Sequence, residues 1–377
     1  MPIRDTLITL ASYSLRLFFR ERAFPRKPKT ILVLKPCCLG DVINATPALA
    51  GLRHHFPAAQ IDVVVGSWSR PALLNNPHIR RLVDSGRVGQ GRYTLGDVRR
   101  LSRRLRPERY EAAVVLDRSP LVGLAPALAG IPHRAGLDSR GRGFAHTVRV
   151  PVPREPRHEA LIYLACLKAI VPESPLDFWT EFHPTAGDQH ALEGILLETA
   201  GSRSPRPLAL LHPGGGVNPG MTMPGKRWPP DRFAALGDRL AEHGLTVALT
   251  GSADDAPLCA EIAVQMQRQP LILAGQLTLG QFGALCQTAR LLVGGDTGGT
   301  HLAAACGCPT AAIFGPSDPA RYAPFAPPGR SIVLWRETKI PSGGVAEATP
   351  GDFDWERGIS VEEVWAACLK LLGEDAP

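Results

Sequence analysis

The sequence contains the stretch Leu291-Leu-Val-Gly-Gly-Asp-Thr-Gly-Gly-Thr-His301, which runs on into Leu302-Ala-Ala-Ala305. An apolar run ends in two glycines and is followed by an acid, a hydroxyl residue, more glycines and a histidine. This order predicts a strand, a loop that exposes its backbone and the N-terminus of a helix. Such a helix start binds anions, so Asp296 and the amides of residues 297–300 could hold a diphosphate, with His301 in the first helical turn.

Short apolar runs alternate with helical patterns along the chain from Thr30 onwards. Predicted strands cover residues 31–34, 60–66, 112–117, 208–211, 246–250, 291–294 and 310–314. Predicted helices cover residues 42–55, 97–106, 157–171, 187–200, 231–243, 254–268, 278–288 and 361–372. The alternation is typical of parallel, doubly wound α/β sheets. Two such halves predict two Rossmann-like domains that face each other across a ligand-binding cleft.

The composition suggests how the chain is divided. Proline and polar residues become frequent between Val171 and Pro207, which indicates a linker between the two halves. The predicted segments are a basic arm (1–29), an N-terminal Rossmann-like domain (30–185), a linker region (186–207), a C-terminal Rossmann-like domain (208–355) and a final helical segment (356–377). The final helix contains Trp365, and we expect it to pack back on the first domain.

The overall composition is that of a globular protein, with 44% hydrophobic and 20% charged residues. Of the formal net charge of +7, residues 1–29 carry +5, from seven Lys and Arg residues and two acids. The body is therefore near neutral, and we predict no nucleic-acid-binding face. Eight cysteines without a zinc-type spacing predict reduced structural thiols in a cytoplasmic protein.

The N-terminal arm is apolar first and basic afterwards. Its uncharged run, Thr6–Leu15, has ten residues, against roughly 20 for a membrane span. No small-residue cleavage pattern follows, so a signal peptide is not predicted. Arg16, Arg20 and Arg22, followed by Arg26-Lys-Pro-Lys29, suit an interfacial helix on an anionic membrane leaflet. A helix packed on the protein's own surface explains the pattern equally well.

Two further loops carry candidate chemistry. Lys35-Pro-Cys-Cys-Leu-Gly-Asp41 joins a strand to a helix, and Asp41 is either a functional acid or merely an N-cap. His212-Pro-Gly-Gly-Gly216, followed by Lys226-Arg-Trp-Pro229, offers amides and cations to a phosphate. A plain glycine loop and a solvated basic pair would also account for these residues. The dinucleotide fingerprint is absent from the first strand–helix turn, and the chain has no P-loop pattern.

Taken together, three blocks resemble glycosyltransferase family 9, the bacterial lipopolysaccharide heptosyltransferases. They are ILVLKPCCLGDVINATPALAGLRHHFP, HPGGGVNPGMTMPGKRWPPDRFAAL and GGDTGGTHLAAACGCPTAAIFGPSDP, and the likeness spans roughly residues 30–325. The resemblance implies a GT-B architecture, with an acceptor domain followed by a donor domain. It also implies sugar transfer with inversion at the anomeric carbon and no metal.

The resemblance implies roles for particular residues. Asp41 would be the general base that deprotonates the acceptor hydroxyl, an assignment that suits an inverting transfer. The implied donor-binding residues are Gly214, Gly215, Lys226, Asp255, Asp296, Thr297, Gly298, Gly299 and His301, and the implied acceptor-side loop residues are Lys35, Gly40 and Asn44. By analogy with dinucleotide folds, Asp254 or Asp255 could accept from ribose hydroxyls, although either could simply cap the following helix.

The expected function is transfer of a sugar, heptose from an ADP-linked donor, onto a lipopolysaccharide core or related glycolipid. The nucleotide sugar is a substrate, and neither a cofactor nor a metal is expected. The expected location is the cytoplasm, with a peripheral contact to the inner membrane through residues 1–29. Two functions remain as alternatives to sugar transfer. The chain could be a GT-B sugar-nucleotide epimerase or a nucleotide-sugar-binding protein without catalysis. The epimerase would need additional acid/base residues, and the binding protein would not depend on Asp41.

Overall fold

The computed structural model describes residues 12–203, 207–215, 217–218, 221–222, 224–337, 355 and 358–374. The chain forms two compact units, Met1–Phe178 and Trp179–Pro377. The division therefore comes earlier than the predicted domain end at residue 185. Most of the predicted linker is a helix of the second unit, in which Leu192 and Leu196 are buried.

The first unit is built on a parallel sheet with helices in its connections. Its elements are β1 (Thr30–Leu34), α1 (Leu39–Ile43), α2 (Thr46–His55), β2 (Gln60–Val65), β3 (Arg81–Asp84), α3 (Leu95–Leu105), β4 (Ala112–Val115), α4 (Pro120–Leu128), β5 (His133–Asp138), β6 (Val148–Pro151) and α5 (Glu159–Ile170). The strand order is β3-β2-β1-β4-β5-β6, and all pairs are parallel. The order reverses direction beside β1, which is the switch point where doubly wound sheets bind ligands.

The second unit repeats this design. Its elements are α6 (Ala186–Ala200), β7 (Leu208–His212), β8 (Val217–Asn218), β9 (Met221–Thr222), α7 (Pro230–Glu242), β10 (Thr246–Leu249), α8 (Ala256–Gln265), β11 (Leu271–Ile272), α9 (Leu279–Thr288), β12 (Leu291–Gly295), α10 (Gly298–Ala305), β13 (Thr310–Phe314), α11 (Pro319–Tyr322), β14 (Ser331–Trp335) and α12 (Val361–Leu372). The main sheet has the order β11-β10-β7-β12-β13-β14, again all parallel, and β8 and β9 form a small antiparallel pair. Both units are thus doubly wound, and the predicted α/β class is confirmed.

The buried strands follow from their sequences. β1, β7, β12 and β13 are continuous apolar runs, as expected for strands covered on both faces. The predicted helix 42–55 is two helices, because the chain turns at Asn44 and Ala45 between α1 and α2.

The C-terminal helix α12 belongs to the second unit. Its buried Val364 and Cys368 join the core cluster formed by the second sheet and its helices. Just before α12, the carbonyl of Ile359 accepts a 2.8 Å hydrogen bond from the Nε1 of buried Trp228. The prediction placed this helix on the first domain; its described contacts are with the second sheet instead.

The described part of the N-terminal arm packs on the first unit. The Phe19 ring lies 5.8 Å from the Phe144 ring, and the Arg22 amide donates to the Thr147 carbonyl at 3.2 Å. Two apolar side chains point outward, Leu17 with 86% and Phe18 with 79% of their surface exposed. In the part of the chain that the structure describes, no helix has the length and hydropathy of a membrane span.

Candidate active site

Asp41 lies in the loop and short helix that follow β1. Cys38 occupies the N-cap position of α1, and Asp41 is in the first helical turn. The N-cap alternative for Asp41 is therefore wrong. Its Oδ2 lies 3.3 Å from the Nζ of Lys35, and one third of its side chain is exposed (33%). The carboxylate is thus held by a cation and still accessible to solvent.

Lys35 is the buried partner that positions this carboxylate. Only 6% of its surface is exposed, and its Nζ lies 5.4 Å from the ring centroid of Tyr163, a cation–π distance. Burial raises the pKa of Tyr163 well above its usual value, and the carboxylates of Asp41 and Glu159 raise it further. Tyr163 is therefore uncharged, and its ring packs against the ammonium group of Lys35.

The other two predicted acceptor-side residues lie along α1. Gly40 is in its first turn, and Asn44 follows its last residue with its amide bonded to the Gly40 carbonyl at 2.9 Å. Asn44 is buried, with 1% of its surface exposed, and its Oδ1 has no hydrogen-bond partner among the described residues. Asn44 is therefore a buried residue at the junction of α1 and α2.

The cysteines of this loop differ from their predicted state. Cys37 and Cys38 are joined by a disulfide between neighbouring residues, whereas the sequence predicted reduced thiols. Six other cysteines are free, and five of these are buried. The correction thus concerns one adjacent pair, which composition and spacing could not single out.

The predicted anion site of the second unit centres on Asp296. Its Oδ2 lies 2.5 Å from the Nζ of Lys226, and its Oδ1 lies 3.8 Å from the Nε2 of His301. Burial alone would raise the pKa of Asp296, but His301 and the Lys226 ammonium outweigh it and hold the pKa well below its usual range. The structure therefore brings together an ionised carboxylate, a lysine and a histidine predicted from separate motifs.

Helix α10 begins two residues after Asp296. Thr297 is its N-cap, with a side chain that accepts from the Thr300 amide at 3.3 Å. Gly298 and Gly299 are the first two helical residues, whose amides have no acceptor within the helix. His301 follows one turn in, as predicted, and its buried Nδ1 has no partner in the described parts of the chain. This helix start has the features of an anion-binding N-terminus.

Glycines allow the loop after β7 to approach α10. Gly215 has φ +105°, and a Cβ built on it would lie 2.1 Å from the Cγ2 of Thr297. A Cβ on Gly299 would lie 2.4 Å from the Nε2 of His212. His212 is itself fixed through Nδ1 by the Thr250 hydroxyl at 3.1 Å, and burial lowers its pKa, so the ring is neutral near pH 7. The loops after β7, β10 and β12 are thus packed against one another.

Asp255 ties the loop after β10 to the loop after β7. Its carboxylate accepts from the Ser252 amide at 2.9 Å and from the Gly215 amide at 3.3 Å, and lies 3.5 Å from the Arg227 guanidinium. Burial would raise the pKa of Asp255, but the hydrogen bonds from Ser252 and Gly215 hold it below its usual value. The carboxylate is therefore engaged by protein donors in the turn before α8 and makes no capping hydrogen bond to α8 itself, while Asp254 is exposed. Gly214 fits against this carboxyl group.

Arg227 was predicted to offer charge to a phosphate, yet its Nε donates to the Gly215 carbonyl at 2.9 Å and so stabilises the loop. Tyr163 and Thr250 gave no sequence signal, because they act through contacts with residues far away in sequence. Only the packing of the sheets brings these groups to the loops.

We expect Gly215→Ala to weaken donor binding, because an alanine needs both a left-handed backbone and the space that Thr297 occupies. Gly244 offers a matched control, since its φ is +87° and nothing lies within 4 Å of a Cβ there. Both variants should cost about 1–2 kcal/mol of stability for the backbone alone. Only Gly215→Ala should also lower the affinity for a nucleoside diphosphate, measured by calorimetry. Equal affinities of the two variants would contradict this account.

The comparisons with known proteins agree with this geometry. The family model described as glycosyltransferase family 9 (heptosyltransferase) matches residues 98–343. Lipopolysaccharide heptosyltransferase 2 of Escherichia coli K12 is 31% identical over 84% of this chain and 92% of its own length. The solved E. coli ADP-heptose lps heptosyltransferase II superposes with a TM-score of 0.70 at 27% identity, over 91% of this chain and 98% of that one. A family 9 glycosyl transferase from Veillonella parvula gives a TM-score of 0.80 at 23% identity, over 93% of this chain and 99% of that one, which supports the fold.

Two doubly wound units, with the solved relative of the same fold, define a glycosyltransferase of GT-B architecture. The chain belongs to glycosyltransferase family 9. The resemblance stated from the three sequence blocks is thereby confirmed, and the non-catalytic and epimerase alternatives are set aside. Among the described residues, no three His, Cys, Asp or Glu side chains come together as a metal site would require.

Proposed function

We propose that this glycosyltransferase transfers heptose from an ADP-linked donor to a lipopolysaccharide-core or related glycolipid acceptor, with inversion and without a metal ion. The relatives support the donor and acceptor classes, since they are named as lipopolysaccharide heptosyltransferases and a solved one as an ADP-heptose enzyme. The observation that carries the proposal is the buried Lys226–Asp296 pair beside the open N-terminus of α10.

Asp41 performs the proton transfer in this proposal. Its exposed carboxylate oxygen accepts the proton of the acceptor hydroxyl as that oxygen attacks the anomeric carbon. The bond from carbon to the donor phosphate breaks on the opposite face, which inverts the configuration. A general base positioned in this way contributes about 10²–10⁴-fold to a rate. The 3.3 Å contact from Lys35 supports this role because it fixes where the carboxylate points.

The second unit stabilises the departing nucleoside diphosphate. Negative charge grows on the leaving phosphate, and preorganised donors aimed at that charge lower the barrier. The Lys226 ammonium and the Gly298 and Gly299 amides are the donors we assign to this task. Asp296 holds the lysine in place before the donor arrives. These groups neutralise the charge on the leaving phosphate, which a metal ion does in other transferases.

Product analysis with a panel of donors tests the proposed function. Purified protein is incubated with ADP-heptose or with heptose linked to other nucleotides, with and without a lipopolysaccharide-core acceptor, in EDTA. We expect release of ADP that depends on the acceptor and persists in EDTA. Release without acceptor at the same rate, or activity that returns only with added divalent cations, would contradict the proposal.

We further propose that the N-terminal arm brings this cytoplasmic enzyme to the inner membrane surface. Exposed Leu17 and Phe18 are followed along the arm by exposed basic residues, namely Arg20, Arg22, Arg26, Lys27 and Lys29. Apolar side chains beside several cations suit the interface of an anionic bilayer. The packing of Phe19 on Phe144 shows that the described arm has both a protein-facing and an outward-facing side.

Replacing Leu17 and Phe18 together by serine should reduce binding to vesicles that contain anionic lipid. The expected loss is roughly tenfold or more, because each side chain gives up about 1.5–3 kcal/mol at full burial. Val264→Ser is the matched control, since Val264 is 86% exposed on the second unit. Co-sedimentation with vesicles measures the effect. Unchanged binding of the double variant would show that the arm is structural only.

A further inference from the structure

The segment 66–74, which we call the β2 loop, lies against the Lys35–Asp41 loop. The Gly66 amide donates to the Pro36 carbonyl at 2.9 Å, and a Cβ on Gly66 would lie 2.7 Å from that same oxygen. The two loops follow adjacent parallel strands, in which Leu34 pairs with Val64. Because the carboxyl ends of parallel strands meet at one edge of a sheet, the β2 loop stands at the same edge as Asp41.

The β2 loop carries an exposed tryptophan. Trp68 has 53% of its surface exposed, whereas the other five tryptophans are buried or half-buried. Its backbone is fixed by a turn in which the amides of Ser69 and Arg70 both bond to the Gly66 carbonyl, at 3.1 and 2.9 Å. A large aromatic ring is thus displayed to solvent from a hydrogen-bonded turn at the same sheet edge as the carboxylate that we assign as the base.

We propose that Trp68 is a specificity-determining contact whose indole face stacks on a sugar ring of the acceptor. The inference rests on the proposed function, which makes the acceptor a glycolipid. One face of a pyranose presents mainly C–H groups, and these pack on the electron-rich face of an aromatic ring while the hydroxyl groups stay hydrated at its edge. Stacking at the sheet edge that carries Asp41 orients the hydroxyl group that is to be deprotonated, and it requires no charge on the sugar.

Kinetics with a water-soluble acceptor, from which the acyl chains have been removed, test the inference. We expect Trp68→Ala to raise the acceptor KM about tenfold or more, a size typical of an aromatic contact. The donor KM and the thermal unfolding midpoint should stay at wild-type values. Trp68→Phe should recover most of the loss, because a phenyl ring still offers a face. Val264→Ala, at an apolar position of the second unit that is 86% exposed, is the control.

Three results would overturn the inference. They are an acceptor KM within twofold of wild type, an equal rise in the donor KM, and an effect that appears only with the fully acylated acceptor, which would assign Trp68 to the lipid. Calorimetry of the soluble acceptor with wild type and Trp68→Ala decides the matter independently of turnover. If neither binds it, the inference fails. If wild type binds it more tightly than the variant yet transfers no sugar, the inference stands and the proposed function fails.

Discussion

Asp41→Asn is expected to lower kcat by about 10²–10⁴-fold, because an amide of the same shape cannot accept the acceptor's proton. The side chain keeps an oxygen that can accept from the Lys35 ammonium, now 3.3 Å away, so the loop should fold as before. Donor affinity should stay nearly unchanged, since the donor loops belong to the second compact unit. Initial rates at saturating substrates and calorimetry with ADP measure the two effects.

Asp84→Asn provides the matched control for this substitution. Asp84 ends β3 of the same sheet and accepts from the Gly86 amide at 3.0 Å. It should keep wild-type turnover. Near-normal kcat in Asp41→Asn would show that the base lies elsewhere. A loss of ADP binding together with kcat would instead assign Asp41 to the structure of the site.

Lys226→Ala is expected to abolish measurable donor binding and also to destabilise the fold. It removes the cation assigned to the diphosphate, and it leaves the carboxylate of Asp296, only 9% exposed, without its closest partner. Breaking a buried pair in this way costs about 3–5 kcal/mol. For a unit of this size the midpoint of thermal unfolding should fall by roughly 10 °C.

A second variant separates binding from stability. Lys226→Met combined with Asp296→Asn replaces the ion pair by two neutral side chains, so no buried charge is left unpaired. We expect its unfolding midpoint to lie much closer to wild type than that of Lys226→Ala, while ADP binding and turnover stay lost. Normal ADP binding by the double variant would mean that the pair only supports the loop.

Much of this fold could be predicted because buried parallel strands have a strong sequence signal. β1, β7, β12 and β13 are uninterrupted apolar runs followed by glycine-bearing loops, and each was predicted within a residue or so. The other strands of the first sheet that the sequence did not predict, β3, β5 and β6, gave no such signal. β3 and β5 contain charged residues, and one of them, Arg134, is buried with its guanidinium bonded to backbone carbonyls such as that of Ala145.

The three loops of the candidate site could be predicted from the sequence, but the contacts between their residues could not. Lys226 and Asp296 are 70 residues apart, and only the neighbouring positions of β7 and β12 bring their loops together. The same holds for the fit of Gly215 against Thr297. Helix α12 shows the limit most clearly, because its apolar face could cover either sheet and the sequence alone does not say which. Local sequence patterns determine which helices and strands form, and long-range packing determines which of them are in contact.

The most direct test of the central claim is the anomeric configuration and yield of the glycoside formed from ADP-heptose, measured by NMR in parallel for wild type and Asp41→Asn. We predict a product of inverted configuration from wild type and at most about one hundredth of that yield from the variant in the same time. A product that retains the donor's configuration, or equal yields from the two proteins, would contradict it.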